Sequence, residues 1–226
     1  MEQSRTLPLT GVATSRTDAL AHLFLLLAHA FSYPTLEQAE WLTSQGFLFH
    51  AVDLAELVGL EGEELLNAAV RFSNAAALDD ESRSHELRVE HTRLFYAMPR
   101  LVPLVGTRWV QRGGSLAARQ SERAVVDALF RDLGLKLQAG KREPADHIVC
   151  ELDYAAYVTA AEFQAWKGED AASAHDWIIL RDIFMVEHLA DTAFGIARAI
   201  AEESQNPHLL FHAALLAATV QSCLPS

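Results

Sequence analysis

Apolar residues along this chain recur at three- and four-residue steps, and no convincing run of alternating β-branched residues interrupts that pattern. The spacing is that of helices with one buried stripe, so the expected class is all-α. The stretch Thr17–Tyr33, TDALAHLFLLLAHAFSY, opens on a hydroxyl able to cap a helix and closes before Pro34, which disfavours helical geometry in the residue ahead of it. Being apolar on nearly every side, it belongs at the centre of a bundle. Shorter helices are predicted over Leu36–Ser44, Ala51–Val58 and Glu61–Asn74, with Gly46, Gly59 and Gly62 as punctuation. A longer one runs from Asp79 or Asp80 to about Ala97, with Leu87, His91, Leu94, Phe95 and Met98 spaced as one buried face.

The pattern then breaks. MPRLVPLVGTRWVQRGGS, Met98–Ser115, mixes prolines, glycines, aliphatics and Trp109 without periodicity. Loops of this length inside compact domains are uncommon and are often binding elements. Helical spacing resumes over Glu122–Leu133, Pro144–Trp166 and, as one or two helices, Ser173–Glu203. The last helix spans Asn206–Cys223, with Asn206 as cap and Pro207 at the first position, where a missing N–H costs nothing. The aromatic residues Trp41, Phe47, Phe49, Trp177, Phe184 and Phe194 are assigned to the core. The first sixteen residues read as a flexible tail on one helical domain over 17–226.

Composition narrows the function. The chain has 226 residues, half of them hydrophobic, enough for a substantial core. Its formal charge of −12 disfavours nucleic acid and anionic membrane and favours cationic partners such as a basic peptide. Two cysteines, Cys150 and Cys223, fit a reduced compartment better than a disulfide framework. With no secretory-type stretch in the first residues, the expected location is the cytoplasm. The most apolar segments contain His, Ser, Gln and Pro, so they read as buried helices rather than spans.

Candidate chemistry concentrates in EPADHIVCEL, Glu143–Leu152. Pro144 reads as a helix start, and Asp146 can satisfy an unpaired N–H there. Ile148, Leu152, Ala155, Phe163 and Trp166 form one helix side, the core; His147, Glu151, Tyr154 and Val158 form an adjoining strip, an amphipathic margin for a polar network or a ligand. His147 and Glu151, four residues apart, could share a divalent metal, which gives a rival reading as a helical metal-dependent hydrolase. No third ligand follows at helical spacing, so a His–Glu hydrogen bond is preferred and no metal or other cofactor is expected. Cys150 lacks the cationic neighbours of a reactive thiol and reads as a small buried residue. His22 and His29, and His208 and His212, are read as satisfied core or boundary histidines. Phosphate-loop, zincin and serine-hydrolase signatures are missing, and Gly113-Gly114 alone is no phosphate cradle. A third reading is a non-catalytic structural or regulatory module.

Glu143, Pro144, Asp146, His147, Glu151 and Leu152 match E-P-x-D-H-x-x-x-E-L, and EHTRLF, Glu90–Phe95, resembles E-Y-x-x-L-F with His91 in place of tyrosine. On these two motifs the chain resembles the TorD family of molybdoenzyme assembly chaperones, which includes DmsD-like and NarJ-like members. The resemblance implies a single-domain all-α bundle, monomeric or homodimeric and not an enzyme. It would bind the twin-arginine leader and apo form of a molybdopterin oxidoreductase catalytic subunit, aid cofactor insertion, and hold the client before export. It further implies leader contacts at Leu94, Phe95, Pro103, Trp109, Pro144, Asp146 and His147, with Glu90, Glu143, Glu151 and Leu152 as structural motif residues. Asp146 would meet an arginine, and Leu94, Phe95 and Trp109 would hold apolar side chains. The loop departs from the family's usual P-P-x-E-S: Val105 and Gly106 stand where the acid and serine would be.

Overall fold

The computed structural model describes residues 9–76, 80–109, 116–135 and 143–225. Ten α-helices follow in order among them: α1 (Leu9–Phe31), α2 (Leu36–Leu42), α3 (Gln45–Val58), α4 (Glu63–Ala75), α5 (Asp80–His91), α6 (Leu116–Asp132), α7 (Ile148–Lys167), α8 (Ala171–Phe184), α9 (Ala190–Glu203) and α10 (Pro207–Gln221). The all-α expectation holds. The described residues contain no strand, only an isolated antiparallel bridge between Val105 and His147. None of the described helices is long and apolar enough to cross a membrane.

Local chemistry explains most helix ends. Thr35 and Gln38 form a reciprocal capping box on α2, and Ser44 accepts from the Phe47 N–H to start α3. Gly59 closes α3 in the left-handed conformation that a residue without Cβ adopts freely. Asn206 and Pro207 open α10 as the sequence indicates.

Several boundaries differ from expectation. Helix α1 begins at Leu9, so Thr17 does not cap it; Thr17 is buried inside the helix and donates to Glu162 on α7 at 3.3 Å. Residues 1–8 of the expected tail lie outside the described residues. Helix α3 begins six residues before Ala51 and takes in Gly46, because the Ser44 cap outweighs one unfavourable glycine. Helix α5 continues through a π-helical turn, Thr92–Tyr96, and a second π turn, Met185–Leu189, joins α8 to α9. Such turns take an extra residue per turn and shift the phase of everything beyond them.

The core is built around α7, which packs between α1 and α8, while α10 packs against α4, α9 and α1. Enclosure on both sides explains why the strip His147, Glu151, Tyr154 and Val158 is buried rather than an amphipathic margin. Glu162 crosslinks this centre: it accepts from Thr17 on α1 and pairs with Arg181 on α8. Leu87, His91, Leu94 and Phe95 are buried as expected, but Met98 is 84 % exposed, because the helix has ended at Tyr96 and helical spacing no longer places it. Phe49 and Trp41, assigned to the core from sequence, are exposed on α3 and α2, whereas Phe47 and Phe184 are fully buried.

Candidate functional site

The EPADHIVCEL segment begins with a turn and not with a helix. The His147 N–H donates to the Pro144 carbonyl at 2.9 Å, and α7 starts only at Ile148. His147 itself is the cap, its Nδ1 accepting from the Val149 N–H at 3.3 Å. The capping role expected of Asp146 thus belongs to its neighbour. Two backbone bonds flank the Val105–His147 bridge: Gly106 N–H to the Asp146 carbonyl at 2.7 Å, and Ile148 N–H to the Leu104 carbonyl at 2.8 Å. They fasten the loop after α5 across the entry to α7.

Side chains complete the fastening. Asp146 is fully buried; its Oδ2 accepts from the Thr107 N–H at 3.3 Å and its Oδ1 from Arg123 Nε on α6 at 2.8 Å. Arg123 is half-exposed, so the pair sits at the boundary between core and solvent. The carboxylate expected to meet a foreign arginine already holds one from its own chain. Glu151 is buried beneath the loop, and a Cβ on Gly106 would stand 2.9 Å from Glu151 Oε1 and 3.0 Å from Thr192 Oγ1. Only a residue without a side chain lets the loop come this close. Trp109 donates from Nε1 to the Pro103 carbonyl at 2.8 Å and lies flat on Gly195 of α9, where an added Cβ would stand 2.4 Å from the ring.

Leu94 and Phe95, expected to hold apolar side chains of a leader, are buried in the core and do not stand at the surface. Pro103, Trp109 and Pro144 are half-buried, and His147 is nearly closed off. Leu152 is core. Glu90 grips Arg93 with both carboxylate oxygens at 2.7 Å and accepts from Ser204 at 2.6 Å, tying α5 to the end of α9. Those bonds hold its carboxyl below the ordinary range.

The sequence pointed to the loop Met98–Ser115 as a whole, but not to the individual side chains it exposes. Tyr96, Met98, Arg100 and Leu101 stand at the surface just before the fastened segment. Half-buried Glu143 acts on this surface from nearby: burial is the larger cause that pushes the Tyr96 phenol up and the Glu143 carboxylate adds to it, while burial holds His147 low although Glu143 favours its charged form. The Glu143 Oε2 atom is buried without a hydrogen-bond partner. Behind this surface His91 is wholly buried against Tyr33, Phe95 and Tyr96, with neither ring nitrogen bonded. Burial drives it down to about 3, with the charge of His147 adding to the effect. No sequence signal marks Arg123 or Gly195 as parts of the site, because each acts through a distant segment. Loop residues 110–115 lie outside the described residues.

No group of three His, Cys, Asp or Glu side chains among the described residues is arranged to hold a metal ion. What the arrangement offers is an anchored loop with an apolar, acid-edged outer face. A family model, that of the nitrate reductase delta subunit, matches residues 58–191, which include both sequence motifs and the whole fastened loop. The chain belongs to the nitrate reductase delta subunit family. This is a NarJ/TorD-like family of redox enzyme maturation chaperones, so the resemblance seen in the two motifs holds. Among solved structures the chain is similar to a proposed redox enzyme maturation protein from Archaeoglobus fulgidus. That likeness has 22% identity and a TM-score of 0.43, and covers 87% of this chain and 90% of that one. No curated protein matches the chain.

Proposed function

We propose that this member of the delta subunit family binds the twin-arginine leader and apo form of a molybdopterin oxidoreductase in the cytoplasm. It keeps the client competent for cofactor insertion and holds it until export, by binding and without catalysis. The observation that carries this reading is the fastened loop, with Tyr96, Met98 and Leu101 exposed just ahead of it and the Glu143 carboxylate close enough to act on the Tyr96 phenol. An acid next to apolar side chains suits a leader, in which arginines precede a hydrophobic stretch. Asp146, His147, Trp109 and Pro103 act here by setting the loop's position, Pro144 by shaping the turn beside Glu143, and Leu94 and Phe95 by supporting it from below.

The test is calorimetric titration of a synthetic twin-arginine leader peptide. Glu143→Gln and Met98→Ser should each weaken binding about tenfold, in line with loss of a charged hydrogen bond or an apolar contact. A peptide in which both arginines are lysines should bind less well, because the planar guanidinium is lost. Unchanged affinity in both variants would remove this face from the site; no binding to the wild type would remove the reading.

A further inference from the structure

Helix α10 packs on both α4 and α9 and forms the floor of a groove of about 530 Å3 between them. The floor is made of small residues, Ala213, Ala214 and Ala217, which let another backbone come close. Its rims carry Arg71 on α4 and Arg198 on α9, both exposed and without an ion-pair partner among the described residues, against a single acid, Glu64, two turns before Arg71 on α4. Two open guanidiniums over an apolar floor are unusual on a chain of charge −12. They repel a basic leader and suit an acidic, amphipathic segment.

The same chain presents such a segment. On α3, Phe49 is 63 % and Leu57 58 % exposed, and the acids Asp53 and Glu56 lie between them on the outward face. Eight residues of helix span about 12 Å, two turns, and the groove residues on α4 and α10 also extend over about two turns. We propose that the groove receives α3 of a second copy of this chain, with Phe49 and Leu57 on the alanine floor and Asp53 and Glu56 against Arg71 and Arg198. Helices α3 and α4 are joined by only a short connection, residues 59–62, so the face and the groove are neighbours in each copy. A two-fold axis then lets each copy give its α3 and accept the other's, and the assembly closes as a dimer. The like net charges oppose association, but beyond about 8 Å they are screened at physiological salt, while contacting pairs are screened far less.

Analytical ultracentrifugation of the full chain over a range of concentrations tests this. The wild type should show a reversible monomer–dimer equilibrium. Arg71→Glu/Arg198→Glu and Asp53→Lys/Glu56→Lys should each weaken it at least about tenfold through like-charge contacts. An equimolar mixture of the two variants should recover the dimer, because both reciprocal contacts then pair opposite charges. Circular dichroism confirms that each variant is folded, as expected for exposed positions. A wild type that stays monomeric throughout overturns the proposal, as does a dimer indifferent to both double variants. A groove that captures an added acidic peptide while the chain remains monomeric also overturns it.

Discussion

At Gly106 and Gly195 a missing side chain determines where the loop lies. A methyl at Gly106 meets Glu151 and Thr192 at about hydrogen-bond distance, and one at Gly195 overlaps the Trp109 ring. Overpacking of this kind costs roughly 1–3 kcal/mol. Gly106→Ala and Gly195→Ala should each lower stability by that order in urea unfolding, and Gly195→Ala should also red-shift tryptophan emission as Trp109 is lifted into water. If Gly195→Ala left both stability and emission unchanged, Trp109 would not be seated on α9. Nothing in the local sequence announces these contacts: Trp109 was recognisable as a loop residue with apolar surface to bury, but its partner lies on a helix far along the chain. Asp146 was legible as a motif acid, yet not as a buried one, because its partner Arg123 sits on another helix with no fixed spacing to it.

Element by element, the sequence pattern located the helices and left their phase to be settled by packing. The cap at Asn206 and the stop at Pro34 act locally, so they read directly; the start of α1 at Leu9, eight residues before the expected cap at Thr17, has no such local signal. The π turn at Thr92–Tyr96 is equally silent, and it accounts for the exposed Met98. Just before it stands His91, and on α10 are His208 and His212, all three buried and held down to about 3, 4 and 3, chiefly by burial, with Arg83 adding for His208. Of the histidines expected as satisfied core or boundary residues, His208 and His212 are buried with ring nitrogens that lack hydrogen bonds, and His22 and His29 are exposed. A histidine depressed in the folded state binds its proton more readily when unfolded, so the stability it leaves intact above about pH 6.5 is lost as pH falls toward the folded value. Each should cost about 2 kcal/mol between neutral pH and about pH 5. Chemical unfolding as a function of pH should show this steep acid slope, and His212→Phe should flatten it; an identical slope in the variant would mean that His212 is not held neutral.

Across the whole molecule, Glu162 joins three helices by accepting from Thr17 and pairing with Arg181, both ion-pair partners being largely shielded from water. Glu162→Ala leaves Arg181 with the exposed-side Asp182 alone and should destabilise the chain by roughly 3 kcal/mol. Thermal melting checks it, and a loss no larger than that of an ordinary surface substitution would place the stabilising weight elsewhere. The molecule thus divides its labour. The entry to α7 carries the fastened loop, and the arginine-rimmed groove lies on α4, α9 and α10.

The close approach at Gly106 bears on how such loops can be exchanged between relatives. The glutamate at 151 occupies space that a serine at 106 would claim, so the loop and the first turn of α7 are a matched pair. Because the shared motif keeps a glutamate at 151, an acid-and-serine loop grafted onto this scaffold is expected to sit farther from α7 and α9 at position 106 than the present loop does.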